Sequence, residues 1–223
     1  MEEVMKILVS DDVSEKGVEL LRQNGYTVDV ETNLDEEQLA ERIGEYDGLI
    51  TRSMTHVTAK VIEKAKKLKI VGRAGVGIDS IDLKAATARG IIVVNAPTSN
   101  TIAATEHTCA MILAVTRHIP QAHDSLMSGE WNREKFTGIQ LKDKTMGIIG
   151  VGRIGSRIAK RMQAMEMRTI GYDPYIPEER GKQLNCELVD LDTLLRESDY
   201  ITLHTPLTKE TRGMIGAEEI AKM

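Results

Sequence analysis

The stretch over residues 144–173 constrains the fold of this chain more than any other part of the sequence. An apolar run over residues 146–149 ends in a Gly-x-Gly-x-x-Gly motif formed by Gly150, Gly152 and Gly155. A helical stretch and a second apolar run follow this motif. The order of strand, helix and strand predicts a β-α-β unit of a parallel sheet, with the glycines at the turn between its first strand and its helix.

Each glycine of this turn has a separate physical task. Gly150 allows a tight turn from strand to helix, and Gly152 lacks a Cβ, so a pyrophosphate can approach the backbone there. Gly155 allows the helix to pack closely on the strand. The first helical turn offers free N–H groups and the positive end of the helix dipole to phosphates. The motif therefore predicts a dinucleotide site, and a glycine-rich turn that binds nothing is the alternative.

An acidic residue, Asp173, ends the second apolar run 18 positions after the last glycine of the motif. A carboxylate at this place accepts hydrogen bonds from the adenosine ribose hydroxyls, and it repels a 2′-phosphate at close range. This favours NAD over NADP as the cofactor. The alternative is a turn aspartate, because Asp173 precedes Pro174 and an Asp-Pro pair commonly opens a turn.

The first part of the chain, residues 6–97, alternates short apolar runs with amphipathic stretches. Strands are predicted over residues 6–10, 27–30, 48–51, 70–73 and 91–95. The helices between them are predicted to start at Ser14, Asp35, Thr58 and Ser80. This β-α-β-α order with short links predicts a parallel sheet covered by helices, so the fold class is α/β. Asn95-Ala-Pro97 breaks the pattern, and we place a domain boundary between residues 97 and 98.

A long helix is predicted next, from about Asn100 to His118, and residues 119–143 are predicted to be irregular. That irregular segment contains Trp131 and Phe136, which are the only residues of their types in the chain. Aromatic residues are enriched at interfaces, so we interpret the segment as an active-site edge or an oligomer contact. A segment that simply packs back on its own domain is the alternative.

The last part of the chain repeats the strand-helix alternation. Strands are predicted over 168–172, 186–189 and 200–204, a helix over 191–197, and a final helical stretch over 215–223. A complete dinucleotide fold has two mononucleotide halves, and this pattern contains the first half and one further strand. We therefore expect the chain to be part of a longer protein.

Composition narrows the class of protein. With a net charge of −5 and no interleaving of aromatic and basic residues, the chain is not typical of nucleic-acid-binding proteins. No apolar run is long enough to cross a bilayer, and the acidic N-terminus is not typical of a signal peptide. Cys109 and Cys186 are isolated and lack the spacing of a metal site or of disulfides. We therefore expect a cytoplasmic protein with no metal.

Several stretches, in order along the chain, resemble the D-isomer-specific 2-hydroxyacid dehydrogenases, most closely those that act on 3-phosphoglycerate. They are Thr51-Arg-Ser53, Gly72-Arg-Ala-Gly-Val-Gly-Ile-Asp79, Asn95-Ala-Pro-Thr-Ser-Asn-Thr101, Gly150-Val-Gly-Arg-Ile-Gly155 with Tyr172-Asp-Pro174, and Leu203-His-Thr-Pro-Leu207. The resemblance implies a flavodoxin-like substrate lobe over 1–97 and a C-terminally incomplete Rossmann NAD-binding domain over 98–223. It also implies a dimer-forming arm near 119–143, and hence a homodimer or a higher homo-oligomer.

The resemblance also assigns roles to individual residues. The positions that match substrate contacts are Arg52 and Ser53 for a phosphate, the backbone of Gly75 and Val76 for a carboxylate, and Asn100. The positions that match cofactor contacts are Gly150, Gly152, Arg153, Ile154, Gly155, Asp173, His204, Thr205 and Pro206. The chemistry agrees, because a phosphorylated 2-hydroxy acid needs cationic donors for its phosphate and fixed donors for its carboxylate.

One part of the family pattern is not found in this sequence. The family uses an Arg in an Asn-x-x-Arg-Gly-Gly motif for the carboxylate, a His as general base, and a Glu that holds this His. None of the five histidines substitutes for the base, so no catalytic residue is assigned, and we expect the 223 residues alone to be almost inactive.

The expected activity of the parent protein is NAD-dependent oxidation of 3-phosphoglycerate to 3-phosphohydroxypyruvate, a step of serine biosynthesis. This expectation follows from the resemblance and from the cationic Arg52 at a strand end. One alternative is a glyoxylate or hydroxypyruvate reductase, which shares the fold and the glycine motif. The other is a dimeric NAD-binding module that carries out no chemistry.

Overall fold

The computed structural model describes residues 4–223 of the chain. The chain divides into two compact units, Met1–Asn100 and Thr101–Met223. Each unit contains a sheet in which all the described strand pairs are parallel. The prediction of an α/β chain with two parallel sheets is therefore confirmed.

The first unit contains a sheet with the strand order β2-β1-β3-β4-β5, which is the flavodoxin-like order. Its strands are β1 (Lys6–Val9), β2 (Thr27–Val30), β3 (Gly48–Thr51), β4 (Ile70–Arg73) and β5 (Ile92–Asn95). Its α-helices are α1 (Glu15–Gln23), α2 (Glu36–Arg42), α3 (Ala59–Lys64) and α4 (Leu83–Ala88), and a short 3-10 helix (Ile43–Glu45) follows α2.

Side-chain caps decide where several of these helices begin. Asp35 forms a capping box before α2, and the Thr58 side chain accepts a hydrogen bond from the first turn of α3, as predicted. The predicted cap at Ser80 is wrong, because Asp82 caps α4 and the helix begins two residues later than expected. Ser80 is buried, and its hydroxyl accepts a hydrogen bond from the guanidinium of Arg73 instead.

The second unit contains a sheet with the strand order β8-β7-β6-β9, which matches the first four strands of the Rossmann order 3-2-1-4. Its strands are β6 (Thr145–Ile149), β7 (Arg168–Tyr172), β8 (Glu187–Leu188) and β9 (Tyr200–Leu203). Its α-helices are α5 (Thr101–Thr116), α6 (Ile119–Met127), α7 (Gly155–Ala164), α8 (Glu178–Gln183), α9 (Leu191–Glu197) and α10 (Ala217–Ile220), and a 3-10 helix (Glu134–Phe136) lies between α6 and β6.

The central strand of this sheet, β6, is buried at all five of its positions. On one face, Ile148 belongs to a core cluster with Ile158 of α7. On the other face, Ile149 belongs to a cluster with Leu194 of α9. Since successive side chains of a strand point to opposite faces, the continuous apolar run of β6 is explained by helices on both sides of the sheet.

Two predictions in the second unit need correction, and one helix of this unit was not predicted. Residues 119–143 were expected to be irregular, but α6 occupies Ile119–Met127, with Pro120 in its first turn, where a missing N–H has no cost. The final helix spans only Ala217–Ile220 rather than 215–223. The helix α8 was not predicted because its sequence, Glu-Glu-Arg-Gly-Lys-Gln, has no large apolar residue to reveal a helical period.

Among residues 4–223, no helix is long and apolar enough to cross a membrane. The same residues contain no group of three or more His, Cys, Asp or Glu side chains that could hold a metal ion. Cys186 is free and buried, and burial raises the pKa of its thiol, so the thiol is protonated near neutral pH.

Candidate functional site

The carboxyl ends of β6 and β9 meet where the strand order of the second sheet reverses direction. From β6 the chain proceeds to β7 and β8 on one side, and it then crosses to β9 on the other side. The N–H of His204 donates to the carbonyl of Ile149 at 2.8 Å, so the two strand ends are held together. Ligands of open parallel sheets bind in the crevice at such a reversal point.

Gly150 forms the turn that leaves β6 at this point. Its φ is +90°, a value that residues with a side chain rarely adopt. Its N–H donates to the carbonyl of Tyr172 at 2.8 Å. A Cβ at Gly150 would lie 2.6 Å from the carbonyl oxygen of His204. Both backbone conformation and the close approach of the β9 end therefore require glycine here.

Gly155 and Gly152 differ in the space that a Cβ would have. A Cβ at Gly155 would overlap the carbonyl oxygen of Gly150 and lie 3.0 Å from Cγ2 of Ile148, because α7 packs directly on β6. At Gly152, by contrast, a Cβ would have no described atom within 4 Å. Packing within the protein accounts for Gly155, while the open space at Gly152 is the room that a phosphate group would need.

Four consecutive backbone N–H groups of this turn are unpaired in the described part of the chain. The N–H groups of Gly152, Arg153, Ile154 and Gly155 have no hydrogen-bond partner among residues 4–223. The next N–H, that of Ser156, donates to the carbonyl of Gly152 at 3.1 Å. Since α7 extends for 10 residues, the positive end of its dipole adds to these donors, and the turn has the properties of an anion-binding site.

Asp173 follows β7 and is half-buried beside the glycine-rich turn. Its Oδ2 accepts from the N–H of Val151 at 3.0 Å, and its Oδ1 accepts from the N–H of Tyr175 at 3.0 Å. The second bond is the Asp-Pro turn that the sequence left open as an alternative. Each carboxylate oxygen has two lone pairs, so Asp173 holds the turn and keeps acceptor capacity for a ligand.

His204, Thr205 and Pro206 follow β9 directly. The methyl group of Thr205 lies 2.9 Å from the Cβ position of Gly150, so Thr205 borders the glycine-rich turn. The ring Nε2 of His204 lies 2.8 Å from Oγ1 of Thr202. Burial lowers the pKa of His204 below 6.5, because the protonated ring would lose hydration. The ring is therefore neutral at pH 7.

We expect an NMR titration of the His204 ring to show a midpoint below the ordinary value of 6.5. Between this midpoint and pH 6.5 the unfolded chain binds more protons than the folded chain, so the free energy of unfolding falls as the pH is lowered through this range. A pH series of ¹H–¹³C spectra checks the midpoint, and the variant His204→Gln identifies the signal. A midpoint at or above 6.5 would contradict the burial argument.

The candidate substrate residues of the first unit lie at the carboxyl edge of its sheet. Arg52 and Ser53 follow β3, and Gly75 and Val76 follow the neighbouring strand β4. Arg52 and Ser53 are exposed, which leaves their side chains accessible. Asn100 is also exposed and is the last residue of the first unit.

The N–H groups of Gly75 and Val76, which are expected to bind a carboxylate, differ in their hydrogen bonding. The N–H of Gly75 donates to the carbonyl of Arg73 at 2.8 Å, whereas the N–H of Val76 has no hydrogen-bond partner among the described residues. The carbonyl of Val76 accepts from Nδ2 of Asn95 at 2.7 Å, and that of Gly75 accepts from the N–H of Ala96 at 2.9 Å. The last residue of β5 and the residue after it thus hold this loop, and Val76 keeps a free donor.

Sequence reasoning missed two charged residues at the same edge. Asp11, which follows β1, is 4% exposed, and its Oδ2 accepts from the N–H groups of Arg52 and Thr55. Arg73 donates to the carbonyl of Arg52 and to the Ser80 hydroxyl, and its Nε is buried without a partner in the described part of the chain. A charged residue at the end of an apolar strand was the available signal in both cases.

Together, the Rossmann strand order and the anion-binding turn at its reversal point define a dinucleotide-binding domain. Residues 109–223 match the NAD binding domain of the D-isomer specific 2-hydroxyacid dehydrogenases. The chain belongs to this family. The resemblance inferred from the motifs is confirmed, and NAD is the cofactor of the matched domain.

The chain is similar to curated proteins over nearly its whole length. It is 51% identical over 219 residues to D-3-phosphoglycerate dehydrogenase of Archaeoglobus fulgidus, covering 98% of the chain and 42% of that protein. It is 52% identical over 221 residues to the protein of the same name from Methanocaldococcus jannaschii, covering 99% of the chain and 42% of that protein. The chain thus spans about two fifths of the length of these relatives.

Solved structures show the same fold. The NAD⁺-bound 3-phosphoglycerate dehydrogenase of Entamoeba histolytica superposes with a TM-score of 0.82 at 33% identity, over 99% of this chain and 69% of that one. The D-lactate dehydrogenase of Aquifex aeolicus, complexed with NAD and lactic acid, superposes with a TM-score of 0.87 at 29% identity, over 98% of this chain and 66% of that one.

Proposed function

We propose that the protein to which this chain belongs oxidises a 2-hydroxy acid with NAD, and that its substrate is 3-phosphoglycerate. The observation that carries the proposal is the glycine-rich turn at the reversal point of the second sheet. There Gly152 faces open space, and the N–H groups of residues 152–155 lack partners among the described residues. The names of the relatives that share half of the chain's residues support the choice of substrate.

In this proposal the second unit holds the cofactor. The free N–H groups of residues 152–155 bind the pyrophosphate, and the side chain of Arg153 adds a cation. Asp173 accepts from the adenosine ribose hydroxyls with the lone pairs that Val151 and Tyr175 leave free. Residues 204–206 border the turn on its β9 side. When bound, NAD supplies the hydride acceptor for the reaction.

The first unit holds the substrate in this proposal. The guanidinium of Arg52 and the hydroxyl of Ser53 bind the phosphate, and charge-assisted hydrogen bonds make Arg52 the stronger partner. The N–H of Val76 donates to the substrate carboxylate, Gly75 shapes the loop, and Asn100 is a further contact. No histidine among residues 4–223 forms an ion pair with a carboxylate, so no residue is assigned as general base.

Two measurements test the proposal. The 223-residue chain is titrated with NAD⁺ and NADP⁺ by calorimetry, and we expect NAD⁺ to bind more tightly; no binding of NAD⁺ would contradict the site. The full-length protein is then assayed with 3-phosphoglycerate, glycerate and glyoxylate. Preference for the unphosphorylated acids would favour a glyoxylate or hydroxypyruvate reductase, and NAD binding without turnover would favour a module without chemistry.

We also propose that the second unit forms a homodimer through α6 and the segment that follows it, within residues 119–143. α6 has no buried residue, although it carries Ile119, Leu126 and Met127. Met127 is 74% exposed and Trp131 is 75% exposed. Large exposed apolar side chains on one element indicate an interaction surface, and aromatic residues are enriched in interfaces.

Replacing Leu126 and Met127 with lysine is expected to convert a dimer into a monomer, because both charges would be desolvated in the interface. Sedimentation velocity at several protein concentrations measures the change. Leu20→Lys is the matched control, since Leu20 is 60% exposed on α1 of the first unit and should leave the oligomeric state unchanged. A wild-type chain that sediments as a monomer at all concentrations would contradict the proposed interface.

The cytoplasmic location inferred from the isolated cysteines is likewise a proposal, and cell fractionation tests it.

A further inference from the structure

We propose that Asp11 is a positioning residue of the substrate site, and that its buried carboxylate fixes the loop that carries Arg52 and Ser53. The proposal rests on the proposed function, because it takes Arg52 as the cation that binds the substrate phosphate. Asp11 itself follows β1, whereas the residues that it would orient follow β3.

The contacts of Asp11 span the loop from end to end. A single oxygen, Oδ2, accepts from the N–H of Arg52 and from the N–H of Thr55, the latter at 3.2 Å. These two residues lie at the beginning and the end of a four-residue stretch, 52–55. Asp11 is 4% exposed, and a carboxylate that gives up its hydration needs such hydrogen bonds in return. The carboxylate therefore fixes both ends of the loop, and the N–H groups of the loop replace the hydration that the carboxylate loses on burial.

The neighbours of Asp11 strengthen the same attachment. Oγ of Ser10 donates to Oγ1 of Thr55 at 3.0 Å, and Oγ1 of Thr55 donates to the carbonyl of Ser10 at 3.3 Å. The carbonyl of Asp12 accepts from Nη1 of Arg52 at 3.5 Å. The link between β1 and α1 thus contacts both the backbone and the guanidinium of Arg52.

Arg73 completes the attachment by binding the other backbone polar group of Arg52. Its guanidinium donates to the carbonyl of Arg52, while the N–H of Arg52 donates to Asp11. One residue is therefore held at its N–H by a buried anion and at its carbonyl by a cation. Since Arg52 follows β3 directly, this arrangement restricts the direction in which its side chain leaves the sheet edge.

The sign of a binding change separates positioning from a direct charge effect. Asp11 is negative and the proposed ligand is an anion, so a direct electrostatic effect of removing the charge would strengthen binding. Loss of a positioning contact has the opposite effect, because the loop gains freedom and Arg52 loses its fixed geometry. A variant that removes the acceptor and one that removes only the charge therefore give different results.

The test measures 3-phosphoglycerate binding to the full-length protein by calorimetry. Asp11→Ala is expected to weaken binding about tenfold or more, since it removes both backbone contacts of the loop. Asp11→Asn is expected to bind within about threefold of the wild type, because its amide oxygen can replace Oδ2. In the full-length protein, Asp11→Ala should raise the KM for 3-phosphoglycerate and leave the KM for NAD unchanged.

Asp47→Ala is the matched control, at the opposite edge of the same sheet. Its Oδ2 accepts from the N–H of Lys6 at 3.0 Å and its Oδ1 from Lys69 at 2.9 Å, and these bonds lower the pKa of its carboxyl. Removing this carboxylate is expected to affect stability without weakening ligand binding. Should Asp11→Ala fail to fold, Asp11→Ser shortens the acceptor and is expected to weaken binding in the same direction.

Unchanged or tighter binding by Asp11→Ala, or equal losses in Asp11→Ala and Asp47→Ala, would overturn the proposal. If the full-length wild-type protein does not bind 3-phosphoglycerate, the proposed substrate fails, and amide hydrogen exchange still decides the role of Asp11. Exchange at Arg52 and Thr55 is expected to be faster in Asp11→Ala and unchanged in Asp47→Ala. Unchanged exchange at both amides in Asp11→Ala would overturn the positioning role independently of the substrate.

Discussion

Replacing Gly155 with alanine is expected to destabilise the second unit by about 3 kcal/mol, the upper end of the usual cost of overpacking. The added Cβ would overlap the carbonyl oxygen of Gly150 and lie 3.0 Å from Cγ2 of Ile148. These neighbours belong to the backbone turn and to a fully buried strand, so neither can move aside as a flexible side-chain end could. The helix α7 would have to shift away from β6, and calorimetry should show a lower melting temperature for the second unit.

Gly152→Ala is the matched control for this prediction, since it adds the same methyl group three residues earlier in the same turn. A Cβ at Gly152 meets no described atom within 4 Å, so stability should change by less than about 0.5 kcal/mol. NAD affinity, in contrast, should fall by about a hundredfold, because the methyl group occupies the room needed by the pyrophosphate. Equal losses of stability in the two variants would contradict the packing argument, and unchanged NAD binding in Gly152→Ala would contradict the site.

Asp173→Ala is expected to weaken NAD binding by about a hundredfold and to lower the ratio of NAD to NADP affinity by at least about tenfold. Three losses combine in this variant. The acceptor for the ribose hydroxyls and the anion that repels a 2′-phosphate are both lost. The hydrogen bond at 3.0 Å from the N–H of Val151 is lost as well, which loosens the glycine-rich turn for either cofactor.

Asp173→Asn separates the loss of the charge from the loss of the contact with the turn, because an amide oxygen can still accept from the N–H of Val151. This variant should keep the stability of the wild type and bind NADP more tightly than the wild type does. Calorimetric titrations of both variants with NAD⁺ and NADP⁺ give the ratios. If neither ratio differs from that of the wild type, Asp173 serves the turn alone and its assignment to the ribose is wrong.

Local sequence signals were sufficient for most strands and failed for particular helices. The predicted bounds of β2, β3, β4 and β7 agree with the structure, because each is a short run that contains β-branched residues. The cap at Ser80 was misplaced because two residues of suitable chemistry, Ser80 and Asp82, stand two positions apart. In the folded chain the hydroxyl of Ser80 accepts from Arg73, the last residue of β4, and the side chain of Asp82 caps the helix.

In the candidate site, too, some residues were found from the sequence and others only from the structure. The glycine motif and Asp173 were found from their spacing, because a turn that binds phosphate needs specific residues at fixed offsets in one short segment. Asp11 could not be assigned from spacing, since its partners Arg52 and Thr55 lie 41 and 44 residues away. The free donor at Val76 and the occupied donor at Gly75 also became distinguishable only from the folded loop.

The sequence by itself determined the α/β class, the succession of strands, and the glycine-rich turn, because these depend on periodicity and on residues adjacent in the chain. The tertiary structure decided which of these glycines the protein's own packing requires and which one leaves room for a ligand. It also decided that Asp173 holds the turn from the end of the next strand, and that Asp11 binds the N–H of Arg52 while Arg73 binds its carbonyl. Parallel strands bring such residues together at one sheet edge, and the contacts between them arise only when distant segments pack.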